Sequence, residues 1–176
     1  MKRVRGLFES EVFMLSLTLL VLFTLNLEYL PREQLHIDEG IYLTVIQDVL
    51  DGGVLYETSW EHKGPGLFLL YMPPILFFGN KIVYVRLMHV LVVLASVFFV
   101  YHISRMIVPG RLSLLPAVAY GLFFLDERIQ GMCINGEPGM MLFVSAATYF
   151  LLKSRVSGRP GFYLFLCGVS SGIAVL

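Results

Sequence analysis

The hydrophobic residues of this chain fall in long blocks with the charges gathered between them. Apolar stretches run over Val12–Leu30, Gly64–Phe78, Ile82–Val108, Leu112–Leu125, Pro138–Leu152 and Gly161–Leu176. A membrane crossing needs about 20 apolar residues, with about 17 as a lower bound. The pattern therefore predicts an all-α integral membrane protein. Crossings are expected at about 12–30, 82–108, 112–126, 138–152 and 161–176 of a single membrane domain, 1–176, with an outer loop at 31–81. The 112–126 and 138–152 helices are short, so their ends should extend into the loops. The first block follows "MKRVR" but outruns a signal-peptide h-region and lacks a small-x-small cleavage site, so it reads as an anchor that stays. The last block stops at Leu176 without a basic flank, as expected of a chain that ends inside its fifth crossing.

One block is ambiguous. "GPGLFLLYMPPILFFG" is short and carries Pro73-Pro74, which remove two backbone donors and make a continuous spanning helix costly. If it does not cross, and the N-terminus is cytoplasmic, then Lys2, Arg3, Arg5, Arg105, Arg111, Lys153, Arg155 and Arg159 share the cytoplasmic side, as the positive-inside bias favours. If it crosses, the last five move outside. The non-crossing reading is adopted. It places eleven of the thirteen acidic residues on the outer face, together with the 31–81 loop and the Asp126–Glu137 loop.

Composition agrees with a membrane class: 57% of the 176 residues are hydrophobic and 15% are charged, against about a quarter charged in soluble domains. Zero net charge gives no reason to expect a nucleic-acid partner. The two cysteines form neither a CxxC nor a metal-ligand pattern.

Within the outer loop, "GIYLTVIQDVLDGG" places Ile41/Tyr42, Val45/Ile46 and Val49/Leu50 on one face of a helix that Gly52-Gly53 stops. Such a helix would lie in the interface with its apolar side in lipid, and 65–78 would form a second interfacial element. Asp38 and Glu39 stand at its start. There they serve either as an ordinary cap favoured by the helix dipole, or as an ionised carboxylate that accepts a proton from a substrate hydroxyl. Lys63, beside Glu61 and His62, either snorkels to head groups or meets a lipid-borne phosphate. The Gly64-Pro65-Gly66 turn would let a ligand approach the backbone closely. Glu137 precedes Pro138 at a helix start, and Arg86 near the start of the 82–108 crossing could snorkel, pair with an acid or hold phosphate. His36 and His62 flank acids and leave room for a divalent metal ion, without a spacing that converges on a known geometry. His89 and His102 read as packing residues, and Trp60 with the tyrosines as an aromatic belt.

These pieces resemble the N-terminal part of the GT-C membrane glycosyltransferases, a helix-bundle family that includes protein O-mannosyltransferases and aminoarabinose transferases. The resemblance rests on "DEGIY" after a first crossing, "EHKGPG" in the same loop, "VRLMHVL" at the next crossing and "NGEP" ahead of a later one. The family's Lys-Pro-Pro is Lys63-Gly64-Pro65 here. The resemblance implies transfer of a sugar from a polyprenyl-phosphate donor, on the outer face of the plasma membrane, to a hydroxyl of a protein or glycolipid acceptor, with inversion. It implies Asp38 as the carboxylate that orients or deprotonates the acceptor, Glu137 as the second acid of the pocket with Glu39 as the neighbour of Asp38, and Lys63 as a donor-phosphate contact. Beside these catalytic candidates, Arg86 is expected as a further donor-phosphate contact and Glu61 and His62 as accessory groups. Family members carry many more crossings, so an incomplete chain or one half of a split enzyme with a C-terminal complementary chain is also expected. A non-catalytic scaffold and a transporter fragment are the competing classes; acids in loops rather than at mid-membrane argue against the transporter. Convergence of Asp38, Lys63 and Glu137 on one cavity would favour the enzyme over the scaffold.

Overall fold

Every apolar block of the sequence becomes a helix. The computed structural model describes the backbone of residues 2–176 and the side chains from residue 10 onward. The helices are α1 (Lys2–Asn26), α2 (Ile37–Leu50), α3 (Pro65–Phe78), α4 (Ile82–Ile107), α5 (Leu114–Phe123), α6 (Gly136–Val156) and α7 (Pro160–Val175). Short 3-10 turns, Gly110–Ser113 and Glu127–Ile129, lead into α5 and follow it. Among the described residues there is no strand. One helix among the described residues, Ile82–Ile107, is long and apolar enough to span a membrane by length and composition. The side chains of Lys2, Arg3 and Arg5, on which the topology argument draws, lie outside the described residues.

α4 is the axis of the bundle. α1 runs antiparallel to it: Glu11 pairs with Arg105 at 2.7 Å near one end, and the Arg86 guanidinium reaches the Tyr29 carbonyl near the other. Leu15 and Leu22 of α1, Val97 and Tyr101 of α4, and Leu114 and Ala117 of α5 form one apolar core. α1 and α5 approach closely because Gly121 has no side chain; a Cβ there would run into Leu22. α6 packs along α4, and α7 along α6.

A second core lies at the end of the bundle where α4 begins. Tyr42, Leu43, Val45 and Ile46 of α2 interleave with Leu67, Phe68, Tyr71 and Ile75 of α3, closed by Val85 and Ile134. This corrects the interfacial reading of α2. Its apolar face is covered by α3, not by lipid, because α3 is apolar all round and offers a protein surface to bury it. α3 itself lies across that end of the bundle. At its start the Gly66 amide donates to the Leu176 carbonyl at 3.1 Å, and at its finish Phe78 meets Tyr84 of α4 with ring centroids 4.9 Å apart. Pro73 and Pro74 do not break α3, contrary to the sequence expectation. The donors they remove would serve the carbonyls of Leu69 and Leu70, and the short helix tolerates both losses before Gly79, at φ 75°, ends it.

α2 begins three residues earlier than its apolar pattern suggests. His36, not Asp38, is the N-cap, and Glu39 reaches back to the His36 amide at 3.1 Å in a capping box. Asp51 and Gly52, the latter at φ 102°, end the helix where the glycine pair predicts.

Candidate functional site

Of the seven residues expected to carry chemistry, the structure places two in a buried frame and two at an open cavity, with Asp38, Glu61 and His62 outside both. The frame is Glu39 with Arg86, both fully buried. Arginine has five N–H donors, and all five are used here. Nε and Nη2 meet the two carboxylate oxygens of Glu39 at 3.1 and 2.8 Å. The remaining three go to the carbonyls of Tyr29, Arg32 and Gln34. The Tyr29 ring lies under the guanidinium, 4.4 Å from its carbon. Glu39 in turn accepts from the Ile134 amide at 3.4 Å. One ion pair thus ties the exit of α1, the start of α2, α4 and the approach to α6. The expected roles of Arg86 as phosphate contact and Glu39 as catalytic acid give way to this geometry: neither has a free donor, or surface, to offer a substrate.

The cavity has a volume of about 250 Å³ and lies between α3, α6 and α7. Leu67, Leu70, Met140, Phe143 and Ile173 make its walls apolar, while Lys63 and Glu137 supply its polar end. These two residues, 74 positions apart, meet at 3.1 Å (Nζ to Oε1). Lys63 is 24% exposed and Glu137 58%, so the pair is open to exchange with a ligand. Each is placed by its local sequence. Lys63 precedes the Gly64-Pro65 start of α3, and its carbonyl accepts from the Tyr56 hydroxyl at 2.8 Å. Glu137 sits in the first turn of α6, which Asn135 caps by accepting from the Gly136 amide at 2.9 Å. The Gly64-Pro65-Gly66 turn is already occupied: the end of α7 packs against it where a side chain at residue 64 or 66 would stand.

Asp38, half-buried, does not line this cavity, so of the three residues expected to converge on one cavity only Lys63 and Glu137 do so. The Tyr42 hydroxyl donates to the Asn135 side-chain oxygen at 3.4 Å. Burial, and then the nearby carboxylates of Asp38, Glu61 and Glu137, push its pKa up to about 12. The hydrogen-bond partner of the hydroxyl is Asn135; the three acids act on it only through their charge. Glu61 is itself buried, accepting from the His62 amide at 2.7 Å and pairing with the His62 ring, which stands in solvent. His36 and Asp38 form a separate pair at 3.7 Å. Among the described residues, no group of three or more His, Cys, Asp or Glu side chains is arranged to hold a metal ion. His89 is a satisfied packing residue, bonded to the Tyr71 hydroxyl at 3.0 Å and the Gly131 carbonyl at 2.9 Å.

Tyr42 and Asn135 were missed in the sequence, although a signal existed: Tyr42 stands one turn from Asp38, on the same helix face, and Asn135 opens the "NGEP" motif. Comparison with family models, curated proteins and solved structures finds no match.

Proposed function

We propose that this chain is a membrane glycosyltransferase module of GT-C type, acting on a polyprenyl-phosphate-linked sugar at the outer membrane face, with its N-terminus cytoplasmic. The observation that carries the reading is the meeting of Lys63 and Glu137 at the polar end of an otherwise apolar cavity. An anionic lipid presents the matching arrangement, a phosphate joined to hydrocarbon. Lys63 would contact the phosphate as a compact charge, exchanging Glu137 for it. Tyr42 and Asn135, bonded to each other, join α2 to the start of α6 that carries Glu137.

In the reaction, the acceptor oxygen bonds to the anomeric carbon as the bond from that carbon to the phosphate oxygen breaks. The acceptor proton passes to Asp38, and polyprenyl phosphate leaves with its electron pair. Lys63 offsets the charge that develops on the leaving group, the role preorganised cations play in such transfers. A donor anchored by its tail at the interface reaches this geometry with less loss of freedom on binding.

The test uses the full chain in nanodiscs with a radiolabelled polyprenyl-phosphate sugar, and polyprenyl phosphate alone as binding probe. Asp38→Asn is expected to reduce transfer by about 100-fold or more while retaining the lipid. Lys63→Met is expected to lose retention of the lipid. Equal transfer by Asp38→Asn and the parent chain removes Asp38 as the base; equal retention by Lys63→Met removes the cavity assignment.

A further inference from the structure

Trp60, the single tryptophan of the chain, is 80% exposed, although the loop that carries it is held firmly. The Asp48 carboxylate accepts from the Thr58 and Ser59 hydroxyls at 2.5 and 2.6 Å. The Gly53 amide donates to the Asp48 carbonyl at 2.8 Å, and the Tyr56 amide to the Ser59 carbonyl at 3.1 Å. The hydroxyls of Ser59 and Thr58 draw the Asp48 pKa below the usual carboxylate range. The indole therefore stands in a built position on the outer side of α2, opposite the face that packs on α3.

Two depressions flank that outer side and meet at Gly40 and Thr44. One, about 530 Å³, is floored by Val45 and edged by Ile37, Ile41 and Trp60; Ile37 is 77% exposed. The other, about 690 Å³, presents Glu33, Asp48 and Asp51. No lysine or arginine lines either one, and neither shares a residue with the cavity at Lys63. Gly40 keeps the saddle between them open, since nothing lies within 4 Å of where a Cβ would be.

We infer that this face of α2 docks a cationic polypeptide segment, which sets an apolar side chain on the Ile37–Ile41–Trp60 shelf and a lysine or arginine against Glu33 and Asp51. From Ile37 to Asp51 the helix spans about 21 Å, the length of about six extended residues. Charge selects this occupant over two others. A bilayer surface carrying anionic lipid repels three carboxylates. A saccharide needs hydrogen-bonding groups on the shelf, but the Thr44 hydroxyl donates to the Gly40 carbonyl and the Ser59 hydroxyl to Asp48. The inference does not depend on the transferase reading, because docking is read without any transfer.

Trp60 reports on the test directly. The full chain, in phosphatidylcholine nanodiscs, is titrated with a tryptophan-free decapeptide of leucine and lysine. The expected result is a saturable blue shift of the emission that weakens with salt. The Glu33→Gln/Asp51→Asn chain should bind about tenfold more weakly, the sum of two exposed pairs, and Ile41→Ser should reduce the shift. A leucine–glutamate peptide should give none. The inference is overturned by an equal response to the acidic peptide, by unchanged affinity in the double variant, or by a response to maltotriose but not to the peptide. It is also overturned if acrylamide fails to quench Trp60 in nanodiscs before peptide is added, which would mean that lipid already covers the shelf.

Discussion

Glu39–Arg86 and Lys63–Glu137 are both carboxylate–cation pairs at the same end of the bundle, yet they differ in nearly every physical respect. The first pair has no exposure at all, and every guanidinium donor is matched. The second has one 3.1 Å contact, with its carboxylate more than half exposed. Burial explains the difference. A charge taken out of water must have its bonds replaced in full, so a buried pair survives only as a complete network. An open pair keeps water as an alternative partner and can trade it for a ligand. Sequence alone ranks the four residues alike, as ionic groups beside apolar runs; environment separates frame from site.

The contrast breaks first at Arg86. Arg86→Ala leaves Glu39 buried without its cation and removes the donors to three carbonyls, with an expected cost of about 3–5 kcal/mol. Arg86→Lys restores the charge but cannot reproduce the fork, so it should recover only part of the loss. Denaturant unfolding of the purified chain measures both. A loss within about 1 kcal/mol for Arg86→Ala would mean that the network is not the frame, and would return Arg86 to the list of ligand contacts.

How much of this was readable in advance follows from what each signal contains. Apolar blocks locate helices well, because the run itself is the signal: Ile82–Ile107 and Pro65–Phe78 match their blocks almost residue for residue. Periodicity along α2 identified Tyr42, Val45 and Ile46 as one face, but periodicity is blind to what covers a face, and α3 covers it rather than lipid. Glu39 and Arg86 are 47 positions apart, and nothing local distinguishes an arginine that will snorkel from one that will be enclosed. Lys63 and Glu137 were recognisable because each stands beside glycine and proline at the start of an apolar helix, where a charge stays near the surface. Tyr42 was hidden by its own apolar ring, which placed it in the core while its hydroxyl reached Asn135.

Tyr42 spans the two regions and sharpens the comparison by titration. Its folded pKa, about 12 against an ordinary value of 10, means that the folded chain holds the phenolic proton more tightly than the unfolded chain. The sign follows: this contribution to stability is complete below pH 10 and is lost as pH rises toward 12. Tyr42→Phe should cost about 0.5–1.5 kcal/mol at neutral pH through the lost bond to Asn135. It should also flatten the fall in stability between pH 10 and 12. An ultraviolet titration of parent and variant would show the missing late-ionising tyrosine directly. A missing group that ionises near pH 10 instead would mean that the hydroxyl is not buried and does not feel the nearby carboxylates as this structure has it.

The smallest stability effect belongs to Glu137, and there the sign of binding matters more than the size. Glu137→Gln removes an exposed pair, worth about 0–1 kcal/mol, so thermal unfolding should barely move. Binding of polyprenyl phosphate should strengthen, because Lys63 no longer has to leave a carboxylate to meet the phosphate, and the local negative charge is reduced. Lys63→Met in the same background should abolish that gain, since the improvement acts through the freed ammonium. A purely structural pair predicts the opposite: loss of Glu137 would let Lys63 wander and binding would weaken along with stability. Measuring retention of the lipid and the unfolding midpoint on the same nanodisc samples separates these outcomes, because only a ligand-exchange site moves the first while leaving the second in place.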